Sequence, residues 1–146
     1  GDAHRKFDNL IQQDFTAEKP NQKWATDFTC LFLTGGDVRY NCTMIDLHDR
    51  GVIASITDRH ITSDLAIRTL DKALASQKSI SPDLILHSDQ GVQYTSKAFI
   101  EYCDNHGVTQ SMSKAGYPYD NAPMERYFNT LKNEEIYLHQ YHTEEQ

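Results

Sequence analysis

Two aspartates and one glutamate have the residue types and local contexts of a metal-dependent active site. Asp27 interrupts a strand-like run of apolar and β-branched residues, Asp89 ends a short apolar run, and Glu125 opens a helix-like segment. Three carboxylates from separate elements can converge on divalent cations, because hard cations such as Mg²⁺ prefer oxygen ligands. Two such ions can promote in-line attack at a phosphodiester. The three acids therefore indicate phosphodiester chemistry.

Each acid also has an ordinary structural explanation when it is taken alone. Asp27 could occupy a turn or an edge strand, and Asp89 could cap an Asx-turn. Glu125 could simply stabilise the positive end of a helix dipole. The functional interpretation therefore depends on all three acids together. Between Asp27 and Asp89 lie 61 residues, and between Asp89 and Glu125 lie 35.

The elements that must position these acids follow from the hydrophobic patterning. Residues 1–20 are polar and are predicted to form a lead-in, and residues 21–146 form one core. Aromatic and β-branched runs separated by turn residues predict an antiparallel meander of three strands, at Lys23–Leu33, Val38–Leu47 and Val52–Thr57. An apolar stripe at helical spacing then predicts a helix over Ser63–Gln77, capped by Thr62 or Ser63.

The second half of the chain alternates between short strands and helices. The first predicted elements are a buried strand at Leu84–His87, a helix at Ser96–His106 that ends at Gly107, and a last short strand at Val108–Met112. A loop at Ser113–Tyr119 follows, and a final helix begins at Asp120 or Asn121 and continues to about His139. This order, β-β-β-α-β-α-β-α, predicts an α/β fold with a mixed sheet and helices on its faces.

Composition and charge limit the possible functions. With 38% hydrophobic and 24% charged residues, the 146-residue chain has an ordinary globular composition, and no apolar run approaches a membrane span. No secretory signal is expected. The scattered residues Cys30, Cys42 and Cys103 are expected to be small buried hydrophobes rather than a zinc site or a disulfide. The net charge of −7 argues against a stand-alone DNA binder, so another domain is expected to supply most DNA affinity.

Several polar residues near the acids are candidates for auxiliary roles. Asn121, Asn129 and Lys132 share a helical face with Glu125, and this face could meet DNA phosphate. The cations Lys132, Arg126 and Lys114 are candidate contacts to DNA phosphate, and the alternative is that they are solvated surface residues.

Two further side chains lie on or near the predicted strands. His87 precedes Asp89 by two residues, so strand alternation puts both on one side, where His87 could orient a carboxylate, touch a phosphate or be purely structural. For Asp46, a structural hydrogen bond or salt bridge is favoured over an auxiliary acid. In the loop, Tyr117 and Tyr119 are expected to pack rather than stack on a base.

Four stretches resemble the integrase core of bacterial insertion-sequence transposases, the insertion-sequence-three group related to retroviral integrases. They contain Trp24-Ala25-Thr26-Asp27, His87-Ser88-Asp89-Gln90-Gly91, Ser111-Met112-Ser113-Lys114 and Asp120-Asn121-Ala122-Pro123-Met124-Glu125. The similarity runs from about residue 9 to the end, while the central stretch Thr34–Arg59 is less typical. The 35-residue gap before Glu125 is also that of the group.

The resemblance implies a ribonuclease-H-like fold with a five-stranded mixed sheet flanked by helices. It also implies an Asp-Asp-Glu triad, Asp27, Asp89 and Glu125, that binds two Mg²⁺ or Mn²⁺ ions. Lys132 matches a family lysine that contacts transposon-end DNA, and Asn121 matches the asparagine at the helix start. Expected partners are the element ends and target DNA, bound by a multimer in the bacterial cytoplasm, with a separate N-terminal DNA-binding region outside this chain.

The implied reaction is cleavage at the 3′ ends of an element, followed by joining of the freed 3′-OH to target DNA. Three other functions remain open from the sequence. A nuclease of the same fold would only hydrolyse DNA, a decayed core would be an interaction module, and a structural metal domain would bind metal without DNA turnover.

Overall fold

Pairing between distant segments builds a five-stranded mixed sheet in the computed structural model, which describes residues 7–12 and 14–113. The strands are β1 (Lys23–Phe32), β2 (Val38–Asp46), β3 (Val52–Asp58), β4 (Ile85–Ser88) and β5 (Thr109–Met112). They lie in the order β3-β2-β1-β4-β5. The first three pair antiparallel, whereas β4 pairs parallel with both β1 and β5. The predicted mixed sheet is therefore confirmed.

Three helices connect the strands of the second half, namely α1 (Ser63–Ser76), α2 (Val92–Thr95) and α3 (Lys97–Asn105). The Thr62 side chain accepts a hydrogen bond from the Leu65 amide, which confirms the predicted cap of α1. After α3, Gly107 has a φ of +70°, and the Val108 amide donates to the Cys103 carbonyl oxygen. This arrangement is a Schellman motif, and it ends the helix at Gly107, as the sequence predicted.

The structure differs from the sequence prediction mainly at element ends and in one added helix. Strand β4 begins and ends one residue later than predicted, because Leu84 packs in the core before the strand pairing begins. Helix α2 was not predicted, since a helix of four residues is too short to show an apolar period. The predicted loop beyond Ser113 and the predicted final helix lie outside the described residues.

The two faces of the sheet bury separate apolar clusters. The larger cluster joins the sheet to the helices and includes Trp24, Leu65, Tyr94 and Phe99, each at most 1% exposed. The opposite face holds a smaller cluster made by Ile11, Ala25, Ile45 and Leu47. Because side chains alternate along β1, its residues contribute by turns to the two faces. Within the described part of the chain, no helix is both long and apolar enough to cross a membrane.

Asp46 holds the start of β1 against the end of β2. Its Oδ2 accepts a hydrogen bond from the Asn21 amide at 2.9 Å, and its Oδ1 accepts one from the His48 amide at 3.0 Å. Asn21 in turn accepts a hydrogen bond from the indole of Trp24 at 3.1 Å. The structural role predicted for Asp46 is therefore confirmed.

We expect Asp46→Asn to lower the free energy of unfolding by about 1–3 kcal/mol, because the side-chain amide can accept from only one of the two backbone donors, and the Asn21 amide is buried. The matched control is Asp49→Asn, since Asp49 is exposed and accepts a backbone hydrogen bond from the Gly51 amide at the surface. That control should change the free energy by less than about 0.5 kcal/mol. Urea unfolding of both variants measures the difference, and equal effects would contradict the assigned role.

Candidate active site

The candidate site lies where β4 ends and β1 continues. Backbone pairing between the two strands covers Lys23–Ala25 and Ile85–His87, with Ala25 opposite His87. Continuing this register by two residues brings Asp27 opposite Asp89, which follows the end of β4. Neighbouring strands lie about 5 Å apart, so the continued register aligns the two acids at the carboxyl end of β4. Open α/β sheets usually bind ligands at such an end.

Backbone amides orient both carboxylates. Asp27 Oδ1 accepts a hydrogen bond from the Phe28 amide at 2.9 Å, and Asp89 Oδ1 accepts one from the Gly91 amide at 2.7 Å. The Ser88 hydroxyl also donates to the Asp89 carbonyl oxygen at 2.7 Å. Both acids are half-buried, so each combines a fixed orientation with access from solvent.

The chemistry of these donors fits a divalent cation. Two carboxylates at neighbouring positions repel each other, and a bound cation removes that repulsion while using the oxygen ligands it prefers. Among residues 7–12 and 14–113, no group of three or more His, Cys, Asp or Glu side chains has the arrangement of a metal site. Of the three predicted ligands, Asp27 and Asp89 lie within the described residues and Glu125 lies outside them.

A buried tyrosine lies against the strand that carries Asp27. The Tyr94 hydroxyl is 3.1 Å from the Thr26 hydroxyl and 3.9 Å from the Cys42 sulfur. Burial raises the pKa of Tyr94 well above its ordinary value, and the negative charges of Asp27 and Asp89 are smaller contributions in the same direction. Burial also raises the pKa of Cys42 to about 11. Both groups are therefore neutral at physiological pH.

The face of the sheet that carries Asp27 is polar beyond the smaller apolar cluster. Thr43 lies opposite Asp27 on β2, and Ser55 lies opposite Thr43 on β3. The Asn41 amide group donates to the Ser55 hydroxyl at 2.8 Å, and the Thr43 and Ser55 hydroxyls are 3.0 Å apart. This network satisfies the buried polar groups beside Asp27, as a low-dielectric environment requires.

His87 is buried beneath the site rather than exposed in it. Only 1% of its surface is accessible, and its ring packs edge-on against Phe15 at 5.7 Å between centroids. Its Nδ1 is 2.8 Å from the Ser111 hydroxyl, which itself accepts a hydrogen bond from the Leu10 amide at 2.8 Å. This burial leaves no surface for a phosphate, and the orienting role stays a prediction.

The remaining predicted site residues lie outside the described part of the chain. They are the catalytic candidate Glu125, the loop tyrosines Tyr117 and Tyr119, and the DNA-contact candidates Lys114, Asn121, Arg126, Asn129 and Lys132.

Sequence reasoning overlooked three residues that contact or support the acids. Gly91 donates to Asp89, and Tyr94 and Thr26 join the following helix to β1. The signal for Gly91 was its position two residues after an Asp, which is typical of an Asx-turn. No local pattern reveals the pair formed by Thr26 and Tyr94, because 68 positions separate its members.

Comparison with known proteins places this geometry in a family. A model described as "Integrase core domain" matches residues 17–118, a span that includes both Asp27 and Asp89. The chain belongs to the integrase core domain family. This membership agrees with the resemblance seen in the sequence motifs.

Two curated relatives are transposases or similar to them. Transposase InsF for insertion sequence IS3A of Escherichia coli is 40% identical over 130 residues, which cover 89% of this integrase core and 44% of InsF. A transposase-like protein of Haemophilus influenzae is 36% identical over 146 residues, covering 100% of this core and 66% of that protein. This chain thus spans about half to two thirds of the length of these relatives.

Solved structures confirm the fold independently. A chain of the simian T-cell lymphotropic virus intasome superposes with a TM-score of 0.71 at 21% identity, covering 89% of this core and 44% of that chain. The catalytic core domain of HTLV-2 integrase, in complex with magnesium, superposes with a TM-score of 0.64 at 20% identity, covering 78% of this core and 69% of that chain. The predicted ribonuclease-H-like fold is confirmed.

We expect Gly91→Ala to lower Mn²⁺ affinity by about tenfold with little loss of stability. A Cβ atom at this position would lie 2.9 Å from Asp89 Oδ1, and the flexible carboxylate can move away at little cost in folding energy but loses its orientation. Calorimetric titration with Mn²⁺ and urea unfolding measure the two effects.

The matched control is Gly51→Ala, because Gly51 donates to Asp49 in the same kind of turn and its added Cβ would lie 3.0 Å from Asp49 Oδ1. This turn is remote from the two acids along the sheet, so Mn²⁺ affinity should be unchanged. Equal losses of affinity in the two variants would contradict the assigned site.

The stability of the chain should fall as the pH decreases from about 6.5 to about 4, in part because of His87. Burial lowers its pKa from 6.5 to about 4 in the folded protein, so the unfolded chain takes up the proton first. At pH 5 this difference amounts to about 2 kcal/mol. Urea unfolding at pH 7.5 and pH 5 should show a smaller decrease for His87→Asn than for the wild type. An equal decrease in both proteins would show that His87 is not buried in its neutral form.

Proposed function

We propose that this chain is the catalytic core of a transposase that cuts DNA at the 3′ ends of an element and joins the freed 3′-OH to target DNA. The observation that carries this proposal is the parallel pairing of β1 with β4, whose register, continued past the end of β4, aligns Asp27 with Asp89. A pair of carboxylates in this arrangement is of little use to stability, since like charges repel, but it suits divalent cations. Membership of the integrase core domain family supports the same conclusion.

In this proposal Asp27, Asp89 and Glu125 hold two Mg²⁺ or Mn²⁺ ions. When bound, such ions activate the attacking oxygen and stabilise the leaving 3′ oxygen. The contribution of the chain is to fix the ligands on rigid elements, Asp27 through the long pairing of β1 with β2 and Asp89 through the turn closed by Gly91. The HTLV-2 integrase core in complex with magnesium supports the use of a divalent cation.

The DNA contacts are proposed to come from two sources. Lys132, Asn129, Asn121, Arg126 and Lys114 lie in sequence near Glu125 and would meet DNA phosphates close to the reaction. The net charge of −7 makes these few contacts insufficient for tight binding, because phosphate neutralisation requires clustered cations. We therefore propose that other parts of a longer protein supply most of the affinity for the element ends.

The working form is proposed to be a multimer on DNA, since two element ends must be joined to one target. The simian T-cell lymphotropic virus intasome and the dimeric form of the HTLV-2 integrase core support this view by their fold and assembly.

A strand-transfer assay tests the proposal. Full-length protein that carries this core is incubated with Mg²⁺ or Mn²⁺, target DNA and a labelled element-end duplex, either intact to report cutting or pre-cut with a free 3′-OH to report joining. Asp27→Asn, Asp89→Asn and Glu125→Gln should each reduce joining by at least about a hundredfold, because each removes a charge that stabilises the reacting centre. Asp49→Asn is the control, since this exposed aspartate lies in a turn between β2 and β3.

Three results would contradict the proposal. Cleavage without joining would indicate a nuclease of the same fold. DNA binding without any reaction would indicate an interaction module, and activity retained in Asp89→Asn would show that the triad is assigned to the wrong residues. Urea unfolding of each variant shows whether a loss of joining results from a loss of fold.

A further inference from the structure

Tyr94 connects the turn that carries Asp89 with the strand that carries Asp27. Its side chain is 1% exposed and lies in the larger apolar cluster, between the rings of Phe28 and Phe99 at centroid distances of 5.3 and 5.4 Å. A buried hydroxyl needs a hydrogen-bond partner. For Tyr94 this partner is the Thr26 hydroxyl at 3.1 Å, which is itself fully buried.

On the β1 side, the hydrogen bond reaches the residue that directly precedes Asp27. Because side chains alternate along a strand, Thr26 points to the helical face while Asp27 points to the opposite face. The hydrogen bond to Thr26 therefore restrains the backbone from which Asp27 projects, although Tyr94 does not contact the Asp27 carboxylate.

On the other side, Tyr94 is joined to Asp89 through a single turn. The Tyr94 amide donates to the Gly91 carbonyl oxygen at 2.9 Å, and the Gly91 amide donates to Asp89 Oδ1 at 2.7 Å. The continuous path from one acid to the other thus contains three hydrogen bonds and no exposed group.

A third contact fixes the backbone of Tyr94 itself. The Gln110 side-chain amide donates to the Tyr94 carbonyl oxygen at 2.9 Å, and Gln110 is only 6% exposed on β5. Helix α2 has only four residues and cannot hold its own position by internal hydrogen bonds. Its placement therefore depends on the contacts that Tyr94 makes with β1 and β5.

We propose that Tyr94 is a positioning residue which, through its hydrogen bond with Thr26, sets the separation and orientation of the Asp27 and Asp89 carboxylates for a shared cation. This inference rests on the proposed function. Tyr94 is not a catalytic residue, because its buried hydroxyl reaches Thr26 and Cys42 on the helical face of the sheet, away from the face that carries Asp27. It acts only through the strand and the turn that it joins.

The test uses Tyr94→Phe, Thr26→Val and the double variant in the full-length protein. Tyr94→Phe keeps the ring and its packing and removes only the hydroxyl. The matched control is Tyr102→Phe, because the Tyr102 hydroxyl donates to Asp71 at 2.8 Å on the surface between α3 and α1. The measurements are Mn²⁺ affinity by calorimetry without DNA, stability by urea unfolding, kcat and KM for strand transfer, and the pH profile of kcat.

Each single variant should lower Mn²⁺ affinity and kcat by about tenfold, with KM for DNA unchanged. The double variant should be no worse than either single variant, since all three remove the same hydrogen bond. The pH profile should keep its shape, because a group that stays neutral adds no titration. Tyr102→Phe should leave Mn²⁺ affinity and kcat unchanged.

Unchanged Mn²⁺ affinity and kcat in Tyr94→Phe, with stability lowered as much as in Tyr102→Phe, would overturn the positioning role and leave a purely structural tyrosine. A pH profile that loses one limb would also overturn it, in favour of proton transfer. If the wild type binds Mn²⁺ but joins no DNA, the proposed function fails and the Mn²⁺ titration alone decides the role of Tyr94. A wild type with neither property would overturn both proposals.

Discussion

Parallel pairing between β1 and β4 is the constraint on which the site depends. It brings together two acids separated by 61 residues, and its register decides whether they meet. A shift of one residue would turn every side chain of β4 to the opposite face, so that Asp89 would leave the side of Asp27 and His87 would enter the helical core. The burial of His87 and its hydrogen bond with Ser111 therefore help to fix the same register that aligns the acids.

The two faces of the sheet have different tasks. The helical face is apolar and holds Thr26 and Tyr94 rigidly, whereas the opposite face presents Asp27 beside the hydrogen-bonded network of Asn41, Thr43 and Ser55. A site needs ligands that are held by well-packed neighbours, and strand alternation allows one residue to be anchored while the next one faces the reaction. The acids can therefore repel each other without disordering the strands that carry them.

The sequence predicted those features that depend on local patterns. Alternating residues indicated the strands, helical spacing indicated α1 and α3, and Thr62 and Gly107 indicated helix ends. The parallel pairing of β1 with β4 agrees with the alignment of Asp27 and Asp89 that the topology and the family resemblance predicted, and that alignment stays a prediction.

Long-range contacts could not be predicted in the same way. The hydrogen bond between Thr26 and Tyr94 links residues far apart in the chain, and α2 is too short to produce a period. The alternation rule placed His87 on the same side as Asp89, but it could not reveal that Phe15 and Ser111 bury His87 against the sheet.

A crystal of the protein soaked in Mn²⁺ tests the central claim most directly, because the anomalous signal locates the ion without reference to activity. The account predicts a peak within about 2.5 Å of oxygen atoms from both Asp27 and Asp89. The competing location is the acidic groove at the opposite end of the same strands, which Asp14, Glu18 and Asp83 line. A peak in that groove with none between Asp27 and Asp89 would contradict the account.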